Sequence, residues 1–247
     1  MIPSSETFLM PPVEIAGQLN SEERRIITAA ILDAPKKPEV VLEVGTWLGG
    51  GSTLHFLRAL EKNGTGRLWG IEADRSIYNQ MIENIPAAAP EAIQRFMPLF
   101  GFSSQVIPGW LKELGPEEQV DLVFLDGGDN PFEQIQEFML LADRIRIGGQ
   151  LFAHDAKLRK GKWLLPYLSL LDNWKVELHD ISTEGLLSAN KLAAKPSPQS
   201  SRAARLKLRS MRLQPIELIG RLLPSPVCDA LLMMMPARFR SRVSQGR

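Results

Sequence analysis

The chain has 247 residues, with 29 Lys and Arg against 28 Asp and Glu, 44% apolar residues and one cysteine. That length and apolar share suit one large domain, or a domain with an appendage. The lone Cys228 excludes an intrachain disulfide and a cysteine-built zinc site, so a reducing, cytoplasmic setting is the default expectation.

The opening residues MIPSSETFLMPPVEIAGQLN lack the basic start and long apolar run of an export signal, and no segment reaches the roughly 18 apolar residues of a membrane span. The net charge of +1 conceals a division near Lys195: from there on, eleven Lys and Arg meet two acids, Glu217 and Asp229, so the tail carries +9 and the rest −8. The Pro/Ser-rich KPSPQSSR at the break reads as a linker. Three parts are expected: an N-terminal segment with a helix at 1–38, a folded domain at 39–194, and a basic linker with short amphipathic helices at 195–247.

In chain order, a helix is predicted over 21–32, its start resembling an N-cap followed by acids. Strand-like segments then fall at 39–44, 66–71, 95–100, 120–125, 150–154, 174–179 and 185–191. Helical patterns fall at 52–62, 75–85, 103–114, 132–145 and 162–171. This alternation predicts an α/β, Rossmann-like doubly wound fold: a mostly parallel seven-stranded sheet with helices on both faces.

The first strand runs into VVLEVGTWLGGGSTL, which reads as strand, tight turn and helix. Glycines there let backbone approach a ligand, and free N–H groups at a helix start favour an anionic group. In open α/β sheets ligands bind beyond the carboxyl ends of the strands, at the reversal of strand order. Those ends carry Glu43 and Gly45, Glu72, Gly101 to Ser103, Asp126, and His154 with Asp155. Glu72 is placed to accept hydrogen bonds from both hydroxyls of a ribose, which points to an adenosine ligand. Gly45-Thr46-Trp47 breaks the dinucleotide G-x-G-x-x-G spacing, and no G-K-[ST] follows the glycines, so a pyrophosphate and nucleotide hydrolysis are disfavoured.

The blocks LEVGTWLGGGSTL, LWGIEAD, VDLVFLDGGDN and IGGQLFAHD, in this order, resemble class I S-adenosylmethionine-dependent methyltransferases, particularly their small-molecule O-methyltransferase-like branch. The resemblance spans about 39–191. It implies that Glu43, Gly45, Gly49 and Ser52 line the pocket for the methionine part of S-adenosylmethionine, and that Glu72 holds its ribose. Phe102 and Ser103 would meet adenine, and Asp126 would sit near the sulfonium. Methyl transfer to a small-molecule acceptor is implied, to a hydroxyl oxygen first. Transfer to nitrogen or to a sugar hydroxyl, or a non-catalytic cofactor-binding protein recruited through its tail, are the alternatives.

Transfer to oxygen usually needs removal of the acceptor's proton. His154 is the expected base, because imidazole titrates near neutrality, and Asp129 is the next candidate. Metal-dependent relatives hold magnesium through two aspartates and an asparagine; Asp126 and Asp155 match the aspartates, but Ala156 stands where the asparagine would be. Other oxygens, from Asp129 or Asn130, would have to complete such a site. The basic run Lys157 to Lys162 is expected either to close over an anionic substrate or to be a solvated loop. The tail's apolar stretches at 216–223 and 227–235 suit an anionic membrane surface, packing on the body or a partner subunit. Nucleic acid is disfavoured, since Phe239 is the tail's one aromatic.

Overall fold

The computed structural model describes residues 15–213. The first helix, α1 (Ser21–Leu32), begins with a capping box: the Asn20 side chain accepts from the N–H groups of Glu22 and Glu23, and the Glu23 carboxylate accepts from the Asn20 N–H. Its Ile27 and Ile31 are fully buried.

Seven strands follow: β1 (Val40–Val44), β2 (Arg67–Glu72), β3 (Phe96–Phe100), β4 (Val120–Leu125), β5 (Ile145–Ala153), β6 (Trp174–His179) and β7 (Leu186–Lys191). They form one sheet in the order β3-β2-β1-β4-β5-β7-β6, parallel except for β7, which runs antiparallel to both its neighbours. Every residue of β1 and β4 is buried, as the centre of a sheet covered on both faces requires. The helices between are α2 (Thr53–Asn63), α3 (Arg75–Ala88), α4 (Ser103–Leu114), α5 (Pro131–Leu141) and α6 (Leu164–Leu168). The strand order reverses at β1, which lies between β2 and β4, and this opens a crevice beyond their carboxyl ends.

The expected architecture is present, with local differences. The helix predicted over 132–145 ends at Leu141, and β5 begins at Ile145 rather than at 150. The pairing of β4 with β5 shifts register between Val120 and Leu122, and Gly148 sits at φ +77°, so the ladder is irregular where the sequence turns glycine-rich. The helix predicted over 162–171 is a 3₁₀ turn at Lys160–Lys162 followed by the short α6.

The stretch expected as a linker instead starts a helix, α7 (Pro198–Arg212). Ser197 caps it by accepting the Ser200 N–H, and Pro198 takes the first turn, where no N–H is needed. Its Ala204, Leu208 and Met211 join the core beside Trp163, Leu164 and Tyr167. Proline and serine here mark a helix start, and the packed body runs past 194. The stretches at 216–223 and 227–235 lie outside the described residues. Among the described residues no helix is long and apolar enough to cross a membrane.

Candidate functional site

A cavity of about 700 Å³ opens at the carboxyl ends of β1, β2 and β4. Gly45, Glu72, Phe102, Ser103, Asp126, Asp129 and Asp155, all expected at a site, line it. Its acids are Glu72, Asp126, Asp129, Glu133, Glu137 and Asp155, whereas Lys160 is the one basic residue among its described lining residues. Such a hollow favours a ligand carrying positive charge.

Five ionisable side chains meet at the ends of β4 and β5. His154 Nδ1 stands 3.3 Å from an oxygen of Asp126 and 3.3 Å from one of Asp155, and its Nε2 stands 3.5 Å from Glu23 of α1. Lys160 Nζ lies 2.8 Å from Asp126 Oδ1 and 2.7 Å from Asp155 Oδ2. Glu23 is itself held, accepting from the Ser182 hydroxyl at 2.7 Å as well as from the Asn20 N–H.

These contacts set the charges. Burial alone would lower the pKa of His154, but Asp126, Asp155 and Glu23 override it and raise it to about 9. Burial likewise opposes the charged forms of Asp126 and Lys160; each gains more from its partners, so the Asp126 carboxyl is held below its usual range and the Lys160 ammonium above its own. An imidazolium has no lone pair with which to take a proton, and His154 is buried and outside the cavity lining. This geometry speaks against the base role expected of His154. Asp129, the second candidate, does line the cavity. Nor is the basic run simply a solvated loop: Lys157 pairs with Asp180 at 2.5 Å, while Lys160 turns inward.

At the other end of the cavity, Glu72 accepts N–H groups from Trp47 at 3.0 Å and from Ala73 and Asp74 at 2.9 Å. These bonds aim its carboxylate. Trp47, a bulky residue at φ +47°, lines the cavity and escaped the sequence reading, because a tryptophan after a strand suggests core. Phe102 is 65% exposed and lines the cavity. Ser103 donates to Glu137 Oε1 at 2.6 Å, while burial raises the Glu137 pKa to about 7 and leaves its other oxygen unpartnered.

Glu43, Gly49 and Ser52 lie behind the cavity rather than on its wall. The Ser52 hydroxyl donates to Glu43, whose burial raises its pKa to about 8 and whose second oxygen has no partner. The glycine run is packed against the chain itself: a Cβ at Gly50 would meet the Ile15 carbonyl oxygen at 2.2 Å, and one at Gly49 would meet Ile85 at 2.6 Å. Three residues of the site carry no motif: Lys160 is one lysine of a charge run, Glu23 is one of the acids after a helix start, and Glu137 lies within a helical pattern.

Residues 42–156, just under half of the chain, match the family described as a methyltransferase domain. No curated protein matches the chain by sequence. Solved structures with the same fold include a provisionally assigned O-methyltransferase from Klebsiella pneumoniae, 20% identical, with a TM-score of 0.59 over 71% of this chain and 82% of that one. The O-methyltransferase TomG of tomaymycin synthesis from Streptomyces achromogenes, solved with SAM, is 17% identical, with a TM-score of 0.58 over 71% and 82%. An O-methyltransferase from Bacillus cereus, solved with SAH, is 17% identical, with a TM-score of 0.56 over 72% and 84%. Residues 42–156 thus resemble a methyltransferase domain, and the sheet that holds them has the Rossmann-like fold of these solved structures.

Proposed function

We propose that this chain, whose residues 42–156 resemble a methyltransferase domain, transfers a methyl group from S-adenosylmethionine to a hydroxyl oxygen of a small molecule. The observation that carries this reading is the acidic cavity at the strand-order reversal, with Glu72 at one end and Asp126 at the other. Its volume of about 700 Å³ is that of a small-molecule site, and its excess of carboxylates suits a cationic sulfonium.

S-adenosylmethionine would supply the methyl group from a sulfonium, whose sulfur keeps the electron pair of the broken bond and leaves as the neutral thioether of S-adenosylhomocysteine. Glu72 would hold the ribose, oriented by the backbone N–H groups it already accepts. Phe102 and Ser103 would flank adenine, with Glu137 beneath Ser103. Gly45, packed on the Asp126–Gly127 backbone, would line the methionine part, Glu43 would supply an unpartnered oxygen behind it, and Gly49 and Ser52 would shape the turn there, with Ser52 bonded to Glu43. Asp126 would face the sulfonium. Asp129 takes the acceptor's proton as its oxygen approaches the methyl group in line.

Calorimetry with S-adenosylhomocysteine, NAD and ATP tests the cofactor, and a labelled methyl donor offered with phenols, sugars and amines tests the acceptor. Binding of S-adenosylhomocysteine alone, with label on phenol oxygen, is expected. Binding of NAD or ATP instead, or label on amines only, would refute it.

A further inference from the structure

The residues at the ends of β4 and β5 resemble a cation site that already holds its cation. Asp126, His154 and Asp155 bring ligand atoms within 4.8 Å of one another, close enough to share a metal ion. Yet Lys160 Nζ lies between the aspartates, 2.8 Å from Asp126 Oδ1 and 2.7 Å from Asp155 Oδ2, on a residue only 6% exposed. Magnesium sits about 2.0–2.1 Å from its oxygens and demands near-octahedral surroundings. An ammonium at these distances occupies that place, and Ala156 offers no side-chain oxygen to a metal. The residues present therefore do not fit a divalent cation.

The fold holds Lys160 there. A Cβ at Gly161 would meet the Ala156 backbone at 2.4 to 2.7 Å, so the 3₁₀ turn packs directly on the end of β5, and only a glycine permits that approach. Asp155 takes a left-handed φ of +57°, rare for a residue with a side chain, and there it meets both His154 and Lys160. A solvated lysine needs none of this.

We propose that Lys160 is a built-in cation: its ammonium bridges the Asp126–Asp155 pair in place of a divalent metal ion and presents positive charge to the acceptor oxygen in the cavity. This rests on the methyl-transfer reading for its catalytic half only. An ammonium has three N–H donors, and two meet the aspartates. The third contact, 3.3 Å to the Asp126 carbonyl oxygen, is long, and a substrate oxygen can replace it. Lys160 would then hold a developing oxyanion, as a metal does, without a loading step.

Manganese binding to the full chain, followed by electron paramagnetic resonance and calorimetry, tests the proposal without any methyl acceptor. The wild-type chain is expected to show no specific site. Lys160→Ala and Lys160→Met, with a unit charge removed beside two carboxylates, should each bind one manganese ion about tenfold more tightly or better. Manganese should raise the Tm of those variants and not of wild type. If wild type binds one manganese ion and Asp155→Asn abolishes it, or if folded Lys160 variants gain no affinity, the proposal is wrong. Should both variants fail to fold, the wild-type and Asp155→Asn titrations still decide it. S-adenosylhomocysteine binding, measured in parallel, reports separately on the methyl-transfer reading.

Discussion

Glu23, in the first turn of α1, stands 3.5 Å from His154 at the end of β5, so the N-terminal helix is tied electrostatically to the floor of the site. The Glu23 carboxylate caps its own helix through Oε2 and faces the imidazole through Oε1.

The His154 pKa of about 9 makes stability depend on pH. The groups facing the ring are Asp126 at the end of β4, Asp155 beyond β5 and Glu23 on α1, with Lys160 the neighbouring cation. A histidine raised in the folded state gives stability that is complete below its ordinary value of 6.5 and lost as pH rises toward 9. The loss should be about 3 kcal/mol. Denaturant unfolding of wild type and His154→Asn between pH 6 and 9.5 checks it: the two curves should converge as pH rises, and a constant gap would exclude the charged pairing.

Glu43 titrates in an overlapping window for another reason. Burial, only partly offset by the Ser52 hydroxyl, raises its pKa from 4.5 to about 8. The folded state keeps a proton that the unfolded chain has shed, so this group's stability is greatest below pH 4.5 and declines until about 8. Glu43→Gln mimics the protonated form and should remove that slope. Thermal melts from pH 4.5 to 8.5 would show the variant gaining on wild type as pH rises; equal slopes would mean that Glu43 is charged when buried.

Cutting the chain at Ala194 should destabilise it, since α7 buries Leu208 and Met211 in the core. Burying two such side chains is worth on the order of 4 kcal/mol. Arg212 also lies 5.2 Å from the ring centroid of Phe132, a cavity residue, so ligand affinity should fall as well. A chain ending at Leu213 should retain both properties. Matching unfolding midpoints for the two truncations would show that α7 contributes nothing.

Glu72→Gln should weaken S-adenosylhomocysteine binding by roughly 1.5–3 kcal/mol per ribose hydrogen bond weakened, because an amide offers one acceptor oxygen where the carboxylate offers two. Three backbone N–H groups also lean on Glu72, so a melt must accompany the titration. Unaltered affinity in a variant that melts like wild type would place the ribose elsewhere.

Much of this molecule is written in local sequence. Runs such as Val40–Val44 and Val120–Leu125 are apolar at almost every position because both faces of the sheet are covered, and the acids and glycines after them mark the strand ends where a ligand can sit. The alternation of such runs with helical patterns is enough for the sheet, and the ends of the first four strands are enough to mark Glu72, Phe102, Ser103 and Asp126 as residues that line the cavity.

What only the tertiary structure decided is which charges meet. Lys160 reads as one more lysine in KLRKGK until Gly161 lets its turn lie against Ala156, and Glu23 reads as a helix cap until α1 settles beside β5. His154 looks like a base in sequence, where its pKa is that of any imidazole; Asp126 and Glu23, from elements far off along the chain, join its neighbour Asp155 in raising it to about 9. Hydrophobic periodicity is a property of neighbours along the chain and survives in the sequence. An electrostatic cluster depends on distances between residues far apart in it, and those exist only once the core has packed.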